Sequence, residues 1–114
     1  MSVITTHVLD LAAGIPAAGV RVVLESRGPG GGWTMMAERV TDPDGRVREF
    51  IAPGTALRAG AYRLTFDAGR YFAALGVETF FSEIAVQFEI RDVARPHHVP
   101  LLLSPFGYST YRGT

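Results

Sequence analysis

Cysteine and lysine are both missing from this chain of 114 residues, and so is any formal net charge, because eleven arginines balance eleven aspartates and glutamates. Without cysteine there is no disulfide framework, no thiolate nucleophile and no cysteine zinc site, so the apolar core alone must hold the fold. Without lysine there is no Schiff base and no Walker lysine. Zero net charge removes the general attraction to phosphate that nucleic-acid binders use, and with it any basic patch for anionic lipid. Nucleic acid and membrane are therefore not expected as partners. Long apolar runs are lacking too. Val99 to Leu103 falls far short of the roughly 20 residues a spanning helix needs, and Met1 to Asp10 carries no basic leader. The expectation is a soluble, cytoplasmic protein forming one domain over 1–114. At a radius of gyration of about 13 Å it has little room for a deep private cleft, so a small-molecule site should be shallow or shared between subunits.

What the chain does have is period-two alternation, the mark of strands with one buried face. Val20, Val22 and Leu24 point one way, opposite Arg21, Val23 and Glu25. Tyr62, Leu64 and Phe66 alternate with polar neighbours, as do Ile84, Val86, Phe88 and Ile90. Ile4–Leu9, Thr34–Thr41, Val47–Ile51 and His98–Ser104 are further strand candidates, and Gly107–Arg112 could add an eighth. Turns are expected at Gly14–Pro16, in the glycine run 28–32, at Asp42-Pro43-Asp44-Gly45 and at Ala52-Pro53-Gly54. Arg70–Leu75 lacks the alternation and is closed by Gly76, as a short helix would be. The pattern predicts an all-β, two-sheet antiparallel β-sandwich of about eight strands with one short helix near 70–75.

Candidate chemistry rests on histidine and arginine. Of the three histidines, His97 and His98 are adjacent in a strand and point to opposite faces, so at most two of His7, His97 and His98 converge. That weakens any three-histidine zinc site, and the ordinary alternative for each is a surface or satisfied core residue. The glycine run lacks the Gly-Lys-Ser/Thr ending of a phosphate loop, and Ser104 and Ser109 lack a nucleophile elbow. Arg46 follows the Asp-Pro-Asp-Gly turn, with Arg48 expected on the same strand face; their planar forks suit imide, urea or carboxylate oxygens. The apolar, aromatic end of the chain implies packing against its own sandwich or a second subunit.

Four segments carry a resemblance: Thr5-Thr6-His7-Val8-Leu9-Asp10 with Gly14 and Pro16 following; Asp44-Gly45-Arg46; Gly69-Arg70-Tyr71-Phe72; and His98-Val99-Pro100-Leu101-Leu102-Leu103-Ser104-Pro105-Phe106-Gly107-Tyr108 running on to Tyr111-Arg112-Gly113-Thr114. In this order and spacing, over essentially the whole chain, the sequence resembles the 5-hydroxyisourate hydrolases, the transthyretin-like proteins. The resemblance implies a sandwich assembled as a homotetramer with active sites between dimers. It implies catalytic roles for His7, Arg46 and His98, a substrate pocket lined by Tyr111, Arg112, Gly113 and Thr114, and no metal or cofactor. The implied reaction is hydrolytic opening of the ring amide of 5-hydroxyisourate to 2-oxo-4-hydroxy-4-carboxy-5-ureidoimidazoline. Either His7 or His98 could be the general base. Two positions depart from the family pattern: Thr114 stands where serine is usual, and His97 where an aromatic residue commonly precedes the histidine. The alternative is a non-enzymatic carrier, since transthyretin shares the architecture.

Overall fold

The computed structural model describes residues 3–114. Nine strands and one helix are found among them: β1 (Ile4–Asp10), β2 (Ile15–Pro16), β3 (Arg21–Arg27), β4 (Trp33–Val40), β5 (Arg46–Val47), β6 (Gly60–Phe66), α1 (Ala68–Ala74), β7 (Ile84–Ile90), β8 (His97–Ser104) and β9 (Gly107–Thr110). One sheet runs β2-β1-β8-β9, with β5 also paired to β1; the other runs β4-β3-β6-β7. The inward rows of alternating strands meet between them: Ile4 and Val8, Leu101 and Leu103 from one sheet, Val22, Leu24, Leu64 and Phe66 from the other, all fully buried. The molecule is only 20 Å across its short axis, two sheets about 10 Å apart with their outer side chains, which leaves no depth for an enclosed site beneath either sheet.

The two-sheet sandwich and the three strongest alternating strands are as expected. The pairing of β1 with β8, however, is parallel, Ile4 to Asp10 alongside His97 to Leu103, so the first sheet is mixed rather than antiparallel. Period-two alternation reports which face a residue takes and is blind to strand direction. Val47–Ile51 is not a full strand. The pairing stops at Val47, and the guanidinium of Arg39 takes the carbonyls of Glu49 (3.2 Å) and Phe50 (3.0 Å), while the Phe50 side chain is buried in the core. Within the expected Gly14–Pro16 turn, only Gly14 turns, at φ 72°; Ile15 and Pro16 form the short edge strand β2, where proline's missing donor is tolerated.

The helix begins two residues earlier than Arg70. Asp67 caps it by accepting from the Arg70 backbone N–H, and it closes with a paired set of bonds, Gly76 N–H to Ala73 O (3.0 Å) and Val77 N–H to Phe72 O (2.9 Å), the αL-glycine ending that its sequence suggested. Tyr71 on this helix donates to Asp10 Oδ2 (2.8 Å), whose Oδ1 accepts from Ala13 N–H (3.0 Å). That buried carboxylate ties α1 to the end of β1, and burial together with Asp10 pushes the Tyr71 hydroxyl up to about 12.

The Asp42–Gly45 turn sets β5 in place. Gly45 N–H closes it onto Asp42 O (2.8 Å), and the Asp42 carboxylate accepts from the backbone N–H groups of Asp44 and Arg46, both at 2.9 Å. These bonds hold the Asp42 carboxyl below its usual range. Gly45 has φ 76° and lies so close to β1 that a Cβ there would run into the Val8 carbonyl oxygen, while Val8 N–H donates to Gly45 O (2.7 Å). Gly45→Ala combines a left-handed backbone with overpacking and is expected to cost about 2–5 kcal/mol, read as a lower denaturation midpoint in urea.

Candidate active site

The first sheet turns its outer face to solvent across β5, β1 and β8, and the three expected catalytic side chains stand there together. His7 is directly paired with Arg46 in the β1–β5 ladder. Thr5 is paired with His98 in the β1–β8 ladder, and His7 with Pro100 one step further along. Their partly buried positions alternate with buried core residues on each strand, as period two requires. His97, by contrast, points inward and is 5% exposed. Its Nδ1 makes no hydrogen bond among the described residues, and burial, with the charge of Arg112, lowers its basicity. The structure thus separates the adjacent pair as strand geometry predicts: His98 is on the face with His7, and His97 is not.

Hydrogen bonds restrict the two outer rings. His7 Nε2 lies 2.9 Å from the Asp44 carbonyl. A carbonyl only accepts, so Nε2 carries the proton, and the neutral ring presents Nδ1 as its basic nitrogen. His98 Nδ1 lies 2.8 Å from Thr5 Oγ1, which leaves Nε2 free of any hydrogen bond among the described residues. The His98 imidazole is held below its ordinary basicity, first by burial, then by the positive charge of Arg46 and by His7, with the Thr5 backbone pulling the other way. A ring so placed is neutral at pH 7 and able to accept a proton.

Arg46 and Arg48 have different surroundings. Arg48 lies beyond β5, is 64% exposed and pairs with Asp42 (3.4 Å) and Asp44 (3.2 Å). The strand ends at Val47, so Arg48 lies just past it, and what distinguishes it from Arg46 is its pairing with the two carboxylates of the turn. The Arg46 guanidinium has no ion pair among the described residues and remains available to an anionic or carbonyl ligand.

The chain's last residues return to this region. Gly113 bridges to His98, donating its N–H to the His98 carbonyl (2.9 Å), and a Cβ on Gly113 would sit 2.5 Å from His98 Cδ2. Arg112 Nη2 donates to Pro96 O (3.1 Å). Tyr111 and Arg112 line a cleft of about 210 Å³ with His98 and Thr110, along the edge where β7 faces β8. His7 and Arg46 do not line that cleft, and Thr114 is exposed. In one protomer, then, the tail touches His98 but does not roof the trio. Gly113→Ala should displace the His98 ring while sparing the fold, lowering kcat about tenfold through misplacement alone, with an unchanged circular dichroism spectrum.

Two contributors escaped the sequence reading: the Thr5 hydroxyl and the Asp44 carbonyl. Thr5 could have been found, since it stands two residues before His7 and so shares its face. A backbone carbonyl leaves no trace in composition. Among the described residues no three histidine or carboxylate side chains gather as a metal site requires, and no helix is long and apolar enough to cross a membrane.

Fold and face together define a class: a small two-sheet sandwich with a polar His-Arg-His array displayed on one open sheet. A family model for the HIUase/Transthyretin family matches residues 4–113. The chain belongs to that family. It is 45% identical over 113 residues to the 5-hydroxyisourate hydrolase of Salmonella dublin, covering 99% of this chain and 82% of the relative. The solved structure of Klebsiella pneumoniae 5-hydroxyisourate hydrolase superposes with a TM-score of 0.85 at 39% identity, covering 99% of this chain and 100% of that one. Sea bream transthyretin, solved in complex with thyroxine, superposes at 0.92 with 32% identity, covering 98% and 95%.

Proposed function

We propose that this chain, as one domain over 1–114, is an enzyme that hydrolyses the ring amide of 5-hydroxyisourate, giving 2-oxo-4-hydroxy-4-carboxy-5-ureidoimidazoline. The observation that carries the reading is the convergence of His7, Arg46 and His98 on one face, with a neutral imidazole beside an unpaired guanidinium. An amide hydrolysis needs a base for water, a donor for the tetrahedral oxyanion and a proton for the departing nitrogen. His98 Nε2 takes a proton from water as the oxygen attacks the carbonyl carbon. His7 Nδ1 accepts a hydrogen bond from that water and orients it, and Arg46 binds the developing oxyanion. When the carbon–nitrogen bond breaks, His98 returns the proton to the ring nitrogen. Tyr111, Arg112, Gly113 and Thr114 line the substrate pocket.

The face is open in the protomer, and the end of the chain carries exposed aromatics: Phe106, Tyr108 and Tyr111 are 65%, 41% and 58% exposed. Exposed apolar patches of this kind mark association surfaces. A homotetramer with sites between dimers would close the pocket, and near neutrality lets copies meet without strong repulsion. We assign the enzyme to the cytoplasm.

Transthyretin superposes somewhat more closely than the hydrolase does, so backbone likeness does not choose between catalyst and carrier. The side chains do, because three polar groups suit a small polar heterocycle better than an apolar hormone. The test is to mix the protein with 5-hydroxyisourate made by urate oxidase and, separately, with thyroxine. An enzyme speeds the loss of 5-hydroxyisourate. Stoichiometric thyroxine binding without such acceleration would establish the carrier.

A further inference from the structure

Strand alternation puts Thr5 and His7 on the same outer face of β1, and the parallel ladder sets Thr5 directly beside His98. Thr5 Oγ1 lies 2.8 Å from His98 Nδ1. Across the ring, Gly113 closes on Cδ2 so tightly that no side chain fits there. The imidazole is therefore gripped at two points, and among the described residues Thr5 supplies the polar one.

We propose that Thr5 is a positioning residue, holding His98 with its proton on Nδ1 and its lone pair on Nε2; this rests on the reading of His98 as the general base. A neutral imidazole is a base at Nε2 only if the proton sits at Nδ1, and that N–H needs an acceptor. The Thr5 hydroxyl provides it. When Nε2 takes the proton from water, the ring becomes an imidazolium whose two N–H groups both donate. The Nδ1–H to Oγ1 bond is kept throughout, so the ring does not have to turn. When the carbon–nitrogen bond of the substrate breaks, Nε2 gives that proton to the departing nitrogen and the starting tautomer returns.

A hydroxyl suits this task better than a carboxylate. An ionised partner at 2.8 Å would raise the basicity of the ring and hold it protonated. A hydroxyl accepts the same bond without a charge, and burial, helped by the Arg46 cation nearby, keeps the resting ring neutral. The hydroxyl can also rotate to donate instead of accept, so the tautomer of His98 is the quantity that decides whether Thr5 acts as proposed.

The experiment compares wild type with Thr5→Val, which removes the hydroxyl at nearly constant shape, and Thr5→Ser, which keeps it. Long-range proton–nitrogen correlation spectra of the ¹⁵N-labelled resting protein report which nitrogen of His98 carries the proton. The expected results are Nδ1–H in the wild type, a shift towards Nε2–H in Thr5→Val, and recovery of Nδ1–H in Thr5→Ser. In turnover, kcat for Thr5→Val should fall about tenfold, the worth of one hydrogen bond, with KM nearly unchanged and Thr5→Ser close to wild type. Thr5→Ala serves if the valine variant does not fold. A wild-type ring protonated at Nε2, or a hydroxyl-free variant with wild-type tautomer and kcat, overturns the proposal. Failure to hydrolyse 5-hydroxyisourate alongside the expected tautomers would instead reject the hydrolase reading and leave the hold of Thr5 on the ring established.

Discussion

His98→Ala is expected to lower kcat for 5-hydroxyisourate by about 10²- to 10⁴-fold, the contribution of a positioned general base. The ring is partly buried, neutral and free at Nε2, while His7 has one nitrogen committed to the Asp44 carbonyl. His7→Ala should therefore cost less in kcat than His98→Ala, since it removes orientation of the water and not the proton acceptor. The lowered basicity of His98 also sets a pH signature. A base that resists protonation keeps working below the ordinary histidine value of 6.5, so the acid limb of kcat/KM should lie below that point. Stability follows the same sign. On acidification the unfolded ring binds its proton first, so the folded state loses stability as pH falls from 6.5 towards the lower folded value. His97, also held below its ordinary basicity, adds to the same trend. An acid limb above pH 6.5 in the wild type, or an alanine variant with wild-type kcat in a folded assembly, would remove His98 from the role of base.

Arg46→Lys is expected to lower kcat by about 10²- to 10³-fold, comparable to loss of an oxyanion donor, even though the charge is retained. Arg46 sits opposite His7 in the ladder, and the Asp42 turn fixes its backbone by accepting its N–H at 2.9 Å. The planar fork can present two parallel N–H groups to substrate oxygens, whereas an ammonium on a flexible stem cannot. Arg48→Lys is the control. Its guanidinium is exposed and engaged with Asp42 and Asp44, so rate and KM should stay within about twofold of wild type, as for an exposed surface pair. Equal losses at Arg46 and Arg48 would show that general positive charge, not a fork at one place, supports the reaction.

Much of this was legible in the chain because strands encode faces. The alternation through Ile4, Thr6 and Val8 puts Thr5 and His7 outside, and the adjacency of His97 and His98 forces one in and one out. The helix stop at Gly76 and the turn at Asp42–Gly45 were equally visible, since each depends on local backbone chemistry. What stayed hidden depends on contacts between distant segments. The parallel pairing of β1 and β8 joins residues more than ninety positions apart, and nothing in a period of two sets its direction. Beyond the end of β5, Arg39 on β4 donates to the carbonyls of Glu49 and Phe50. The partition of Arg46 from Arg48 follows from the ion pairs Arg48 makes with Asp42 and Asp44. Missing lysine and cysteine, together with a sandwich only 20 Å thick, leave histidine and arginine on an open face as the chemistry this fold can offer.

The most direct measurement is the rate of disappearance of freshly generated 5-hydroxyisourate, followed by ultraviolet absorbance, with equal amounts of wild type and of the variant His7→Ala/Arg46→Ala/His98→Ala in the same folded and assembled state. The account predicts decay far above the spontaneous rate with wild type and only the spontaneous rate with the variant. Equal rates for the two proteins would contradict it.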